Sequence, residues 1–409
     1  MPKTHSAQKL FFAALTTFFV VSISLTTIRA SARPEYAVRY GVNRCTACHY
    51  SPAGGGPKNL YGKSFGAFGY KATSWAQQDY AGAEMKVLYY RPAQSDQEKD
   101  GMGIMNGSVW ASIPVQEATQ DSGEVRLIAE QNLGGFSSGP RQWYARWTSD
   151  PRDSQTSWLP QYILLGRIIP AFGIMTDEHL TYVRLQSGTP WNTGFDTGVM
   201  MSANPVESVH YDIQLADGQK NSGQGLAQNM ANIFGVVANL RWMPLFLPLT
   251  LGISDELYSA GTQATGASGL SLYGIFSFHR LTRNHVPLTL SVEFVQAQNW
   301  NDTFSGGIVS NTTYASSLSN TISRGIYGLL DWQVTQKFSA QYKFDQLALD
   351  QSYPSDAYQR HGVGVKYYFG NNLWTLIRYE KAVAQRPGES GGLGAGATDA
   401  TWALVNFSI

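Results

Sequence analysis

Lys337-Phe338-Ser339-Ala340-Gln341-Tyr342-Lys343-Phe344-Asp345 decides the fold class of this chain. Successive side chains of an extended strand point to opposite faces. Phe338, Ala340, Tyr342 and Phe344 therefore share one face, and Lys337, Ser339, Gln341, Lys343 and Asp345 share the other. The same alternation sets Leu288, Leu290, Val292 and Phe294 against Thr289, Ser291 and Glu293, and Leu270, Leu272, Gly274, Phe276 and Phe278 against Ser271, Tyr273, Ser277 and His279. A face that is apolar along every strand, opposite one carrying Lys, Asp and Glu, fits lipid outside and water or polar cargo inside. A soluble sandwich would instead bury the apolar faces against each other, so connection lengths have to separate the two readings.

Working outward from this strand, the pattern predicts sixteen: 83–91, 103–113, 123–131, 140–148, 160–168, 195–203, 206–216, 230–241, 248–257, 269–279, 287–297, 322–333, 337–348, 359–369, 372–382 and 399–409. Tight turns such as Asn204-Pro205, Val334-Thr335-Gln336 and Gly370-Asn371 alternate with long stretches such as 217–229, 298–321 and 383–398. That asymmetry belongs to a barrel with short periplasmic turns and long outer loops. The last strand puts Val405, Phe407 and Ile409 on one face and runs to the final residue. An even strand number leaves both barrel ends on the periplasmic side, and a barrel of this size encloses an open lumen. The fold class read here is all-β, an antiparallel transmembrane outer-membrane barrel over 83–409 preceded by a short α/loop segment over 33–80.

Composition agrees. Only 14% of residues are charged, against about a quarter in soluble domains, while 22 Tyr, 11 Trp and 41 Gly suit many short strands joined by Gly-rich loops. Residues 1–32 read as a signal peptide: Lys3, His5 and Lys9, then the apolar run 10–27, then Ala30-Ser31-Ala32 as a cleavage site. Beyond it no apolar run reaches the roughly 18 residues of a membrane-spanning helix. A net charge of +1 excludes nucleic acid as an expected partner.

The segment over 33–80 carries the chemistry. Arg44-Cys45-Thr46-Ala47-Cys48-His49 contains the only two cysteines of the chain. A CxxCH supplies two thiols for thioether bonds and an imidazole for iron, the requirement of a covalently attached haem c. A structural zinc site needs a second ligand pair, a thioredoxin motif needs a βαβ context, and a plain disulfide leaves His49 unexplained. Cys45 and Cys48 are thus the expected attachment residues and His49 the expected iron ligand. The loop Tyr50-Ser51-Pro52-Ala53-Gly54-Gly55-Gly56-Pro57 allows close backbone approach to a flat cofactor. Leu60, Tyr61, Phe65 and Phe68 then recur at helical spacing. Arg33, Arg39, Arg44, Lys58, Lys63 and Lys71 against Glu35 form either partners for haem propionates or a solvated basic surface.

So short a segment does not bury a haem alone, and no methionine follows the CxxCH before Met85. The barrel must therefore supply the sixth ligand, or the iron keeps an open or water-bound position. His210 leads the candidates, because Ser208, His210, Asp212 and Gln214 alternate against Val209, Tyr211, Ile213 and Leu215 and should face the lumen. His179, in the outer loop Met175-Thr176-Asp177-Glu178-His179 that is able to fold inward, His279 and Met200 are alternatives. The outer-loop acids Asp96, Glu98, Asp100, Asp177 and Glu178 either attract cations loosely or are simply solvated.

Cys45-Thr46-Ala47-Cys48-His49, the following Pro57-Lys58-Asn59-Leu60-Tyr61-Gly62-Lys63-Ser64-Phe65 and Gly69-Tyr70, together with the barrel pattern, resemble the outer-membrane cytochrome–porin fusions, which include iron-oxidising cytochromes. Gly54-Gly55-Gly56 departs from the iron-oxidising members. The resemblance implies single-electron transfer through one haem c between an extracellular redox substrate, Fe(II) being the one suggested, and a periplasmic electron carrier, with outer-membrane lipid as surroundings; the chain would then be an electron-transfer protein or an Fe(II) oxidase. The alternative expectation is a diffusion porin whose haem segment is a plug or redox gate. A peroxidase or sensor with an open iron position is a third.

Overall fold

The computed structural model describes His49 and residues 81–92, 101–117, 123–135, 139–149, 156–175, 181–183, 194–217, 234–244, 247–259, 267–278, 287–298, 322–335, 337–348, 357–369, 373–384 and 399–408. The signal-peptide reading of 1–32, Cys45, Cys48 and the rest of the 33–80 segment lie outside the described residues.

Sixteen strands follow one another in chain order: β1 (Ala81–Pro92), β2 (Gly101–Gln116), β3 (Glu124–Gly135), β4 (Gly139–Thr148), β5 (Tyr162–Ile168), β6 (Asp196–Val206), β7 (Val209–Ala216), β8 (Gly235–Trp242), β9 (Leu249–Tyr258), β10 (Ala267–Ser277), β11 (Leu288–Gln298), β12 (Ile322–Gln333), β13 (Phe338–Ala348), β14 (Ala357–Tyr368), β15 (Leu373–Ala384) and β16 (Ala400–Ser408). Each pairs antiparallel with its sequence neighbours, and β1 pairs with β16 from Glu84–Ser408 to Pro92–Ala400, closing the barrel. Closure satisfies every strand edge, which an open sheet would leave exposed. The first and last strands meet at what we call the terminal rim, near Ala81 and Ser408. The rim at the other end carries most of the long connections, among them 217–234 and 299–321.

All sixteen strands expected from the alternation are present. One turn is elsewhere: Asn204-Pro205 lies inside β6, and the chain reverses at 207–208. The cause is local pairing. The Asn204 backbone N–H and side-chain amide both donate to Gln161 Oε1, at 2.9 and 3.0 Å, and Ser157 N donates to the Asn204 carbonyl at 2.8 Å. With its backbone engaged by the segment before β5, Asn204 stays extended.

Alternation sorts the two faces. Leu251, Ile253, Leu257, Leu272, Val292, Ile326, Val363, Val365 and Ile377 are exposed on the outside, and Trp147, Trp242, Trp332 and Tyr367 stand outward near the terminal rim. Ser254, Glu256, Ser271, Glu293, Asp331, Gln341, Lys343, Asp345, Arg360 and Arg378 are buried on the inside. The inner face is not uniformly polar, however. Leu88, Met105, Tyr368, Trp374, Leu376, Trp402 and Leu404 form an apolar cluster on the inner wall of β14 to β16, β1 and β2.

Tight packing of inner aromatics relies on two glycines. Tyr273 lies across Gly252, where a Cβ would sit 2.0 Å from its ring, and Tyr258 lies across Gly235, where the corresponding distance is 2.3 Å. A ring covering a cross-strand glycine supplies the apolar contact that the glycine lacks.

Candidate functional site: the barrel interior

The described parts of the connection after β5, 169–175 and 181–183, lie inside the barrel. Ile169, Ala171, Phe172, Ile174, Tyr182 and Val183 are all buried. Gly173 turns the chain at φ 62°, a left-handed conformation that favours glycine. Its N–H donates to Ser254 Oγ at 2.9 Å, Ile174 N donates to Glu293 Oε1 at 3.3 Å, and Tyr182 N donates to both carboxylate oxygens of Asp345 at 3.1 Å. These acceptors stand on β9, β11 and β13. In the ring of sixteen, β13 is eight places from β5 (13 − 5), so the segment reaches the wall diametrically opposite its origin. Phe172 and Val183 add apolar contact by packing into one cluster with Val237, Val295, Tyr327 and Leu329.

The anchoring carboxylate belongs to a buried ionic cluster. Arg360 donates to Asp345 at 2.6 Å and stacks its guanidinium 4.5 Å above the Tyr182 ring. Lys343 lies 3.8 Å from Asp345 and 3.6 Å from Glu380, and Arg360 and Arg378 each lie 3.5 Å from Glu380. Arg378 also donates to Gln341, which donates to Asp331. Charges taken from water are tolerated only when paired and hydrogen-bonded, and this wall provides both. Burial pushes the Tyr182 phenol up to about 12, against the opposing pull of Arg360, so it is neutral at physiological pH.

The opposite wall has its own pairs. Glu124 takes Arg126 and Arg146, and Glu130 takes Arg141 and Gln142.

His210 faces inward near the terminal rim. Its Nδ1 pairs with Asn204 Oδ1 and its Nε2 with Asp212 Oδ1, each at 2.9 Å, while Asp212 also accepts from Ser202 and Arg241. A ring held at both nitrogens has none to offer iron unless one of these bonds breaks. Met200 is buried among Ile128, Tyr144, Tyr162 and Leu164, so its thioether is packing material. His49 is half-buried. His179, His279 and the acids Asp96, Glu98, Asp100, Asp177 and Glu178 lie outside the described residues, although both described flanks of His179, 169–175 and 181–183, lie inside the barrel. Among the described residues no group of three or more His, Cys, Asp or Glu is placed to hold a metal ion.

Two features escape a reading of the alternation alone. The inward placement of 169–175 has one sequence signal, the apolar run Ile168-Ile169-Pro170-Ala171-Phe172-Gly173-Ile174, where a solvated loop would be polar. The apolar inner wall is edged by cations: Lys366 sits 4.0 Å above Trp374 and 4.7 Å above Tyr368, and Arg378 sits 5.0 Å above Trp402.

No protein-family model matches the chain, and no curated protein matches it in sequence. Solved structures match it in fold. OmpF of Salmonella typhi, solved in complex with daunomycin, superposes with a TM-score of 0.56 at 12% identity, covering 80% of this chain and 97% of that one. An anion-selective porin from Comamonas acidovorans gives 0.53 at 8% identity, covering 80% and 98%. The outer membrane channel DcaP of Acinetobacter baumannii gives 0.51 at 9% identity, covering 81% and 96%. The barrel thus has the fold of the sixteen-stranded porins. Identities this low carry the architecture and nothing finer.

Proposed function

We propose that the chain is an outer-membrane channel of the porin class whose lumen is narrowed by 169–175 and 181–183 and whose N-terminal segment carries a covalent haem as plug or redox gate. One observation carries the channel reading: a closed barrel, apolar outside and charged inside, with a chain segment tied across it by Ser254, Glu293 and Asp345. The exposed outer aliphatics require lipid rather than water around them, and strands of 8 to 12 residues such as β7 and β13 match the roughly 9–11 residues of a tilted membrane-spanning strand. The terminal rim then faces the periplasm and the long connections face outward. Purified protein in planar bilayers tests this: discrete conductance steps support the channel, and a silent bilayer with demonstrably folded protein removes it.

A second reading, electron transfer between an extracellular redox substrate and a periplasmic carrier, is favoured by Cys45, Cys48 and His49. Two thiols and an imidazole at this spacing fit haem c, and the chain bearing them enters β1 at the terminal rim. Bound there, the haem would supply one-electron redox chemistry. The barrel's own residues would insulate it from lipid and shape the access of its partners. Anaerobic mixing with Fe(II), followed by visible spectra, tests the substrate that the motif suggests: a haem that stays oxidised rejects iron. Substituting His179, His210 and His279 singly with Ala tests the sixth ligand, with His210→Ala expected to leave the haem spectrum unchanged.

A further inference from the structure

The connection between β4 and β5 is the long exception at the terminal rim, and its described part is held rigidly. Ser149 N donates to the Gln161 carbonyl, Gln161 N to the Ser202 carbonyl and Ser157 N to the Asn204 carbonyl, at 2.8 to 2.9 Å, while Leu159 N closes a local turn on Ser157 Oγ at 3.0 Å. This frame presents two large apolar side chains outward: Trp158 and Leu159 are each 76% exposed. They are the most exposed large hydrophobic residues among those described.

Which side of the wall they stand on is decided by Tyr211. Its hydroxyl donates to the Trp158 carbonyl at 2.7 Å. Tyr211 alternates with the inward His210 and Asp212, so it belongs to the outer row with Ile213 and Leu215. The 157–159 turn therefore passes the feet of β5 and β6 and docks against the outer face of β7, not against the lumen mouth. The same outer row of β7 carries Val209, whose partner across the β7–β8 ladder is the exposed Trp242. Trp158 thus extends the row of outward tryptophans, Trp147, Trp242 and Trp332, by a residue that no strand carries.

We propose that the 156–161 turn is an interfacial anchor that seats Trp158 and Leu159 in the headgroup and upper acyl region of the periplasmic leaflet. The inference rests on the membrane reading above. Tryptophan suits this position because its ring is largely apolar while its N–H finds partners among headgroups. An apolar pair on a rigid frame loses little conformational entropy on insertion. Continuity with the outward row selects lipid as the occupant in preference to a periplasmic protein.

The test is bromolipid quenching of tryptophan emission in the full chain, reconstituted in phosphatidylcholine vesicles with or without bromine on the acyl chains. Emission from Trp158 is obtained as wild type minus Trp158→Phe, a substitution that keeps an aromatic side chain at this exposed position. The expected result is that this component loses roughly half or more of its intensity in brominated vesicles, as for belt residues, and is shielded from aqueous iodide. If it is quenched by iodide and not by bromolipid while the remaining tryptophans are quenched by bromolipid, the anchor is wrong and the membrane barrel stands. If no tryptophan responds to bromolipid, the membrane reading itself falls and takes the anchor with it.

Discussion

The wall of β9 to β13 and the wall of β15, β16 and β1 line neighbouring arcs of one lumen but are built on different chemistry. The first presents Ser254, Glu293, Lys343 and Asp345 and accepts hydrogen bonds from the backbone N–H groups of Gly173, Ile174 and Tyr182. The second presents Trp374, Leu376, Trp402, Leu404 and Leu88, flanked by Lys86, Lys366 and Arg378. A polar wall can position a chain segment because hydrogen bonds fix direction. An apolar wall resists water by packing and is indifferent to direction. The lumen therefore has a side that positions chain by directed hydrogen bonds and a side that is apolar and edged by cations.

The largest expected effect falls on the polar side. Asp345→Ala leaves Arg360 and Lys343 with one fewer buried carboxylate, and should lower the unfolding free energy by about 3–5 kcal/mol, the usual penalty for breaking a buried pair. Urea titration of the folded barrel in detergent, followed by tryptophan emission, measures it. A loss below about 1 kcal/mol, the level of an exposed pair, would mean that the cluster is solvated in solution and the contrast between the walls is overstated.

Trp374→Ala should come next. Its side chain is 1% exposed, and truncating a buried aromatic costs about 3 kcal/mol or more. Trp374→Phe should recover most of that. The same titration reads both, and the sharper expectation is that neither alters conductance, because the bonds to Gly173, Ile174 and Tyr182 come from the polar wall.

Ser254→Ala removes one acceptor from the Gly173 N–H and should cost about 1 kcal/mol. The smallest effect is in pH. The Tyr182 phenol is raised from 10.0 to about 12 in the folded chain, so the folded state keeps a proton that the unfolded state loses. Its contribution is fully present below pH 10 and declines as pH rises toward about 12. Comparing alkaline stability curves of wild type and Tyr182→Phe isolates it: the two should run parallel below pH 10, with wild type falling faster above. Parallel curves throughout would place Tyr182 in water.

The contrast between the walls also explains how much was legible beforehand. Lys337–Asp345 and its relatives gave away all sixteen strands because an apolar outer face beside a polar inner one forces a period of two. On β16 that signal fades: Trp402 and Leu404 point inward while Ala403 and Val405 point outward, so four consecutive apolar residues carry no parity. The alternation did put His210 inside, but a pattern of polarity does not reveal that Asn204 and Asp212 occupy both of its nitrogens. Nor does it show where Gly173, Ile174 and Tyr182 settle, which is set by Ser254, Glu293 and Asp345, residues 81 to 163 positions away in sequence.

The single-channel conductance of Asp345→Asn beside that of wild type, in the same planar bilayer, tests the central claim most directly. Asparagine keeps the size of the side chain while weakening the anchor of the Tyr182 N–H. If the chain carrying 169–175 and 181–183 narrows the lumen, the variant shows larger or more variable steps than wild type. Identical steps would place the constriction elsewhere, and with it the function assigned to this wall.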